Sequence, residues 1–238
     1  VGFVLSSRQR NSRWLTSNWA MGYNRMAEYR RETNYSGSTL GSITDSWSEN
    51  AFGKTSDELN GFEEGLAYTS GAIYDFEEDR VYETDYQLNP AYKLYKQENA
   101  SLEGGKSELF IGYAANYDNK ILIGATFNIP LVNYTEFRDY QEYDGGDNGI
   151  PFFNDLQYTS YVNSTGSGIN GKFGLTVKPN KNLNISLAAH TPTKYFMTDN
   201  YNTSVSYDYT DTNNNGPIYS ESPYGSFHYA MVSPWSLM

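Results

Sequence analysis

This chain of 238 residues has no cysteine, only two histidines and more acidic than basic residues. Without cysteine it can form no disulfide and no thiolate metal site, a composition that suits a protein crossing an oxidising periplasm. Its net charge of −11 argues against nucleic acid as a partner, because a phosphate backbone requires a basic face. The sequence also lacks any run of about 18 apolar residues, the length that a transmembrane helix needs.

Motifs for catalysis are equally scarce. His190 and His228 lie in different predicted strands, and the sequence contains no phosphate-binding loop, no HExxH motif and no nucleophile elbow. Two Asp/Asn/Gly-rich segments, 144–149 and 211–216, resemble the first half of a calcium loop. In the second, Ser222 occupies the place of the bidentate glutamate, so we interpret both as turns. We expect no enzymatic activity, no metal and no cofactor.

Apolar residues alternate with small or polar ones from Leu109 to Leu131, with one reversal at Asp118-Asn119. Successive side chains of a strand point to opposite faces, so both strands have one apolar side. Runs of about ten residues are long for a soluble sandwich, whose strands usually have about 5–6 residues, and they favour an outer-membrane barrel. The apolar side comprises Leu109, Ile111, Tyr113, Ile121, Ile123, Phe127, Ile129 and Leu131.

Seven strands are predicted, over residues 1–7, 13–31, 106–117, 120–140, 157–178, 183–207 and 218–233. Their connections alternate between short turns, at 7–12, 117–120 and 178–182, and long segments, at 35–105, 141–156 and 208–217. An up-and-down barrel with short periplasmic turns and long external loops has this asymmetry. We therefore expect an all-β chain, a single partial domain over 1–238 of an antiparallel transmembrane β-barrel. Because Val1 already lies in a strand, we expect a fragment of a longer protein.

The segment 35–105 is predicted to be a long extracellular loop with short helices. Apolar residues at helical spacing indicate one helix over 42–52, which includes Trp47, and another over 56–74, which includes Phe62 and Leu66. We expect this apolar stripe to pack on the barrel mouth, with contact to a lipophilic ligand or a partner protein as the alternative. An acidic run follows at 75–85, typical of a solvated loop, with cation bridging to lipopolysaccharide as a second possibility.

Two prolines interrupt predicted strands. Pro130 and Pro192 both lie toward the outer end of a run, where a residue without an N–H marks an edge, a bulge or a break. The strands either leave the membrane there or form a defect in the wall that lets a lipophilic molecule pass sideways. His190 lies on the face predicted to line the lumen, two residues before Pro192. Pro130, His190 and Pro192 join Trp47, Phe62 and Leu66 as candidate ligand-contacting residues.

Four segments resemble the FadL/TodX family of outer-membrane transporters for hydrophobic compounds, particularly its divergent Bacteroidetes-type members. They are Asn18–Met26, Gly112–Pro130, Ser164–Gly174 and Ala188–Tyr195. The resemblance implies a barrel of about 14 strands with an internal N-terminal hatch and a lateral opening for long-chain fatty acids or aromatic hydrocarbons. The hatch, with its Asn-Pro-Ala signature, and the last strands are not in this sequence, so no ligand-binding residue transfers from the family.

The leading hypothesis is passive uptake of hydrophobic small molecules across the outer membrane of a Gram-negative bacterium. Its partners are then the transported lipophile and the outer-membrane lipid and lipopolysaccharide. The alternative is a barrel subunit or scaffold of a larger secretion or uptake complex, in which the loop helices contact other envelope proteins. A third hypothesis is a soluble binding module, because 23 tyrosines are also typical of sugar-binding surfaces.

Overall fold

The computed structural model describes residues 1–145, 149–210 and 216–238. In these residues the chain is mostly antiparallel β-sheet with two short α-helices, which confirms the predicted β class. The helices are α1 (Ile43–Ala51) and α2 (Glu64–Ser70), and 3₁₀ turns cover Ser56–Glu58 and Asp85–Leu88. The strands are β1 (Gly2–Arg8), β2 (Trp14–Glu28), β3 (Arg31–Thr39), β4 (Leu94–Tyr117), β5 (Ile121–Tyr143), β6 (Phe153–Asn180), β7 (Leu183–His190), β8 (Lys194–Tyr209), β9 (Ile218–Glu221), β10 (Gly225–Val232) and β11 (Ser236–Leu237).

Some consecutive strands lie end to end and together occupy one strand position in the sheet, which we call a line. β2 and β3 both pair with β4, and β7 and β8 both pair with β6. The last line is formed by β9 and β10 along β8 and by β11 along β7. The sheet is therefore a meander of seven antiparallel lines, each beside its neighbours in sequence. Among the described residues β1 and the β9–β11 line remain its edges, so the sheet does not close.

The connections differ in length at the two ends of the sheet. Short turns join β1 to β2, β4 to β5 and β6 to β7, all at one end. Asp118 and Asn119 both have a left-handed φ in the turn between β4 and β5, a conformation that Asp and Asn tolerate better than most residues. At the other end the chain makes its long connections, 40–93, 144–152 and 210–217. We call the two parts of the sheet the short-turn half and the long-loop half.

The predicted loop over 35–105 is too long at both ends. Residues 35–39 belong to β3 and residues 94–105 belong to β4, so the insertion between strands covers 40–93. The prediction missed these strand segments because they are polar on both faces, as Gln97, Glu98 and Asn99 show, and therefore do not alternate.

The first predicted helix is confirmed, and the second is mostly wrong. Ser42 caps α1 by accepting from the Thr44 N–H, and the Asp45 carboxylate accepts from the Ser42 N–H, which completes a capping box. The predicted helix over 56–74 consists only of a 3₁₀ turn and the seven-residue α2. Gly71 ends α2 with a φ of 81°, a left-handed conformation that glycine adopts without strain.

The two faces of the sheet differ throughout. The insertion packs on the face formed by even-numbered residues of β4, β5 and, from Asp155 onward, β6, which we call the insertion face; odd-numbered residues there form the outer face. Phe153 precedes a register shift in β6 and also lies in the core. In the long-loop half, Leu156, Tyr158 and Val205 of the insertion face lie in or against a core that includes Trp47 and Leu66. This core is the main buried cluster of the described residues.

In the short-turn half most of the large apolar side chains lie on the outer face, and many of them are exposed. Phe127 is 53% exposed, Phe173 54% and Leu187 58%, and no second sheet of the described residues covers them. The insertion face there carries small and polar residues such as Gly124, Thr126 and Gly174. No α-helix in the described part of the chain combines the length and the apolar character needed to cross a membrane.

The line formed by β7 and β8 contains a bulge that changes its alternation. β7 pairs Lys172 with His190, whereas β8 pairs Ile169 with Lys194, so residues 191–193 add one residue relative to β6. Odd-numbered residues of β7 and even-numbered residues of β8 therefore share the outer face, where Leu187 and Phe196 are both exposed. A continuous strand over 183–207, as predicted, would have placed Phe196 on the wrong face.

Candidate functional site

Pro130 interrupts the hydrogen-bonded ladder between β5 and β6. Pairing runs up to Asn128 with Asn170 and resumes at Leu131 with Ser167, but the two residue pairs between them are missing. A proline has no N–H to donate, which explains the loss on this side of β5. On its other side Pro130 still pairs with Glu108 of β4, and its own side chain is fully buried.

Pro192 lies in the second interruption, on the opposite side of β6. The β6–β8 ladder ends at Ile169 with Lys194, and the β6–β7 ladder begins at Lys172 with His190. In β6, residues 168 and 169 thus have no ladder partner in β5, and residues 170 and 171 have none in the β7–β8 line. We call residues 168–171 and the two flanking breaks the ladder gap. The sequence-based expectation that both prolines disturb strand pairing is correct.

Side-chain hydrogen bonds bridge the ladder gap on the insertion face. Asn128 Nδ2 donates to Asn170 Oδ1 at 2.8 Å, and Asn170 Nδ2 donates to Thr193 Oγ1 at 3.0 Å. All three side chains are buried. Thr191 adds two bonds at 2.9 Å, because its N–H donates to the Gly171 carbonyl and its Oγ1 accepts from the Gly171 N–H. At the ladder gap the strands are therefore joined by side-chain hydrogen bonds and one backbone bond rather than by a continuous ladder.

Charged groups lie beside this bridge. Lys172 Nζ is 2.6 Å from Glu108 Oε1, which pairs the buried glutamate with a cation. Thr126 and His190 are the ladder partners of Lys172 on its two sides. Thr126 Oγ1 and His190 Nε2 are buried without a hydrogen-bond partner in the structure. Thr126, Lys172 and His190 form a polar row across the insertion face, two residues closer to the short turns than the Asn128–Asn170 bond.

Large side chains from β8 also cover the ladder gap on the insertion face, at its end toward the long loops. A Cβ placed on Gly168 would lie 2.9 Å from the Tyr195 ring, and one on Gly166 would collide with the Met197 thioether. These glycines therefore let Tyr195 and Met197 lie across β6. The Tyr195 hydroxyl accepts from Lys106 Nζ at 2.5 Å, on β4. The Tyr195 and Met197 side chains therefore occupy the insertion face beside the interrupted ladder, and the Tyr195 hydroxyl is paired there with Lys106.

Candidate residues of the insertion lie far from the ladder gap, in the long-loop half. Trp47 is 3% exposed and packs edge-on against Tyr158, with ring centroids 5.5 Å apart. Leu66 is buried in the same core, and Phe62 is half-buried against Tyr201 at 5.0 Å. The structure thus brings Pro130, His190 and Pro192 together and places Trp47, Phe62 and Leu66 elsewhere. Because Trp47 and Leu66 contact this chain's own sheet, neither offers an exposed surface to a partner.

A buried glutamate attaches the insertion to the sheet. Glu142 is completely buried and accepts from Ser42 Oγ at 2.5 Å, from the Ile43 N–H at 2.9 Å and from the Tyr140 hydroxyl at 2.6 Å. Lys96 Nζ lies 3.6 Å away and supplies the opposite charge. Burial, together with the Glu142 charge, raises the pKa of Tyr140 above its ordinary value. The N-terminus of α1 is thereby held at one point on β5.

The acidic run at 75–85 is mostly exposed, as predicted for a solvated loop, and one β-bridge at its base makes it a hairpin. Tyr74 and Glu83 pair through their backbones, and the Asp75 carboxylate accepts from the N–H groups of Asp79 and Arg80. Within the part of the chain that the structure describes, no three His, Cys, Asp or Glu side chains are arranged to hold a metal ion. The two calcium-loop-like segments, 144–149 and 211–216, include residues outside the described ranges.

Sequence reasoning missed the residues that bridge the ladder gap. Asn128, Asn170 and Thr193 come from three different lines and meet only through the strand register. The sequence feature that came closest to locating these residues was the pair of prolines, Pro130 and Pro192. Glu142 was also missed, because nothing in the sequence around an isolated glutamate near a predicted strand end indicates that its side chain is buried.

Comparison with protein families, with curated proteins and with solved structures finds no match to this chain.

Proposed function

We propose that this chain forms part of the wall of an outer-membrane β-barrel that takes up hydrophobic small molecules, such as long-chain fatty acids, without energy input. The observation that carries the proposal is the exposed apolar outer face of the short-turn half, where Phe127, Phe173 and Leu187 are each more than half exposed. A monomer in water rarely exposes a continuous apolar patch of this kind, whereas hydrocarbon chains cover it favourably.

The height of this apolar surface matches a bilayer. Along β5 the outer face is apolar from Ile121 to Leu131, a span of about 33 Å at about 3.3 Å per residue. Strands of outer-membrane barrels tilt by roughly 40°, which reduces that span to about 25 Å, the height of their usual apolar band. The next outer-face residues are Asn133 and Thr135, so the strand becomes polar where the band ends.

Aromatic residues lie where a bilayer interface is expected at the short-turn end. Trp14 contacts Tyr117 at 5.1 Å, and Trp19 contacts Tyr113 at 4.9 Å. Indole and phenol rings favour the membrane–water interface, because they are apolar with one polar group. This arrangement supports a membrane interface at the short-turn end, and the difference in connection length supports an orientation with the short turns in the periplasm and the insertion outside the cell.

The ladder gap supports a lateral route through the wall. Each side-chain hydrogen bond that bridges it is worth about 0.5–1.5 kcal/mol net, and rotamer changes are enough to break it. An apolar tail gains about 0.8 kcal/mol for each methylene transferred from water to an apolar site. A long-chain lipophile therefore offsets the opening of the Asn128–Asn170–Thr193 bridge.

Membrane contact is tested with spin labels on neighbouring residues. Because the chain has no cysteine, Leu187→Cys and Ser186→Cys each give one labelling site, on the outer and insertion faces respectively. In reconstituted vesicles we expect the label at 187 to be accessible to oxygen and shielded from a water-soluble nickel complex. Thr135→Cys is the control on the outer face beyond the apolar band, and its label should be accessible to the nickel complex. Equal accessibility at 187 and 135 would refute insertion of this face in the bilayer.

Transport is tested by restoring the missing backbone donor. Pro130→Ala supplies an N–H toward β6, which should close the ladder and slow the uptake of a fluorescent long-chain fatty acid into vesicles containing the full-length protein. Pro90→Ala, in the insertion, is the matched control and should leave uptake unchanged. Unaltered uptake in Pro130→Ala would contradict a route through the ladder gap, and no uptake above that of empty vesicles would contradict the function itself.

A further inference from the structure

A pocket of about 500 Å³ lies where the insertion meets the end of β8, far from the ladder gap. Its walls include four aromatic side chains, Tyr74, Phe76, Phe152 and Tyr209, and one carboxylate, Asp85. We call it the Asp85 pocket. Its volume lies in the range typical of small-molecule sites, which are mostly apolar with a few converging polar groups.

Asp85 is a buried carboxylate without a counter-charge. It is 7% exposed and accepts from the Tyr207 hydroxyl at 2.6 Å and from the Tyr74 hydroxyl at 3.2 Å. Among the described residues no lysine, arginine or histidine forms an ion pair with it. Buried carboxylates are normally paired with a cation, because loss of hydration is costly for the ionised form. Consistent with this, burial raises the pKa of Asp85 despite the two tyrosine hydrogen bonds.

The aromatic walls are held in place by local structure. Phe152 has a φ of 71°, a left-handed conformation that is rare for a bulky residue, and its carbonyl accepts from the Thr210 N–H at 2.7 Å. The Phe76 ring lies against Tyr74, with centroids 4.6 Å apart, yet Phe76 remains 80% exposed. Exposed aromatic faces beside a buried carboxylate present negative electrostatic potential on several sides of one space.

We propose that the Asp85 pocket binds a small organic cation, with an ammonium group near the Asp85 carboxylate and its apolar substituents against the aromatic rings. Quaternary and protonated amines are attracted to aromatic faces by the ring quadrupole, and a carboxylate adds a direct charge interaction. The cation supplies the counter-charge that none of the described residues provides for Asp85.

The surroundings of the pocket favour a cation over an anion. The hairpin that contributes Tyr74 and Phe76 also carries Asp75, Glu77, Glu78, Asp79 and Glu83, with Arg80 as its basic residue. Such a concentration of one sign of charge raises the local concentration of the opposite ion. The site is separate from the proposed transport route and does not depend on insertion of the outer face in a bilayer.

Calorimetric titration of the full-length protein with choline tests the proposal. The comparison ligand is 3,3-dimethyl-1-butanol, which has nearly the same shape with carbon in place of the charged nitrogen. We expect choline to bind at least about tenfold more tightly, because only the cation interacts with the rings and the carboxylate electrostatically. Equal affinity for the two ligands, or no binding of choline, overturns the proposal.

Variants separate the charge from the aromatic contribution. Asp85→Asn should weaken choline binding about tenfold or more, with the exposed Asp57→Asn as the control of equal charge change. Phe76→Leu, which keeps apolar bulk, should weaken it roughly threefold, whereas Phe76→Tyr should retain it; Phe52→Leu is the control outside the pocket. Because Phe76 is exposed, its replacement does not threaten folding. Wild-type affinity in both Asp85→Asn and Phe76→Leu would refute the site, as would Asp85-dependent binding of a neutral sugar instead of choline.

Discussion

The same strands are apolar on opposite faces in the two halves of the sheet. In the short-turn half, β6 directs Phe173 and Leu175 to the outer face, where both are exposed. In the long-loop half, β6 directs Leu156 and Tyr158 to the insertion face, where they pack in or against the core. The register between β5 and β6 stays constant from one end to the other, so no bulge between them causes the exchange.

This exchange indicates two different surroundings for one sheet. A soluble sandwich buries one face along the whole length of its strands, because that face meets a second layer throughout. Here the second layer, the insertion, covers only the long-loop half, and the apolar residues of the short-turn half have no protein to cover them in the described part of the chain. The physical difference is that between burial in a protein core and exposure of apolar side chains, which the proposed bilayer would cover.

The largest expected effect is the loss of a core aromatic in the long-loop half. Trp47→Ala should destabilise the insertion and its sheet contacts by about 3–5 kcal/mol, since a buried tryptophan leaves a cavity. Trp19→Ala, at an exposed outer-face position, is the matched control and should change the unfolding free energy of the detergent-solubilised protein much less. Circular dichroism during urea unfolding measures both. Equal losses would mean that the two halves do not differ in burial.

A charge on the outer face distinguishes the halves directly. Phe127→Arg places a cation within the proposed bilayer band and should cost about 2–4 kcal/mol of stability in lipid vesicles. Phe137→Arg, on the same strand and face but in the long-loop half, should cost about 0–1 kcal/mol. Both phenylalanines are exposed, so burial within the protein does not explain a difference. Similar costs for the two variants would remove the argument for a membrane boundary between them.

Attachment of the insertion depends on one carboxylate. Glu142→Gln removes the charge opposite Lys96 and weakens the bonds to Ser42 and Ile43, so we expect a loss of about 1–3 kcal/mol. Hydrogen exchange of the α1 amides should increase accordingly, while that of the β4–β5 turn should not. Glu32→Gln, which breaks an exposed pair with Arg30, is expected to change little. Unchanged protection of α1 in Glu142→Gln would show that core packing alone holds the insertion.

The smallest effect concerns pH. Because burial raises the pKa of Asp85 above its ordinary value of 3.8, the folded state holds this proton more tightly than the unfolded chain. Its contribution to stability is therefore complete below about pH 3.8 and is lost as the pH rises through the raised pKa. Asp85→Asn should flatten this part of the stability profile, measured as the urea midpoint of the insertion at successive pH values. An unchanged slope would assign the dependence to other groups.

Sequence reasoning worked best where the two faces of a strand have different surroundings. The alternation around Ile121–Leu131 located β4, β5 and their turn, and the prolines located both breaks of the ladder gap. It failed for β3 and for residues 94–105, where both faces are polar and no periodicity marks a strand. It also failed beyond Pro192, because a one-residue bulge reverses the alternation without a sequence signal of its own.

The amino-acid pattern by itself determined the antiparallel strands of the short-turn half, the alternation of short and long connections, and the presence of a helix over about residues 42–52. These are local properties, set by side-chain period, turn residues and capping. Only the tertiary structure decided that Asn128, Asn170 and Thr193 form one bridge, that Glu142 holds the insertion, and that Asp85 is buried with no cation paired to it among the described residues. Such contacts join residues far apart in the chain, so they depend on strand register and on which surfaces meet, and neither is encoded at any single position.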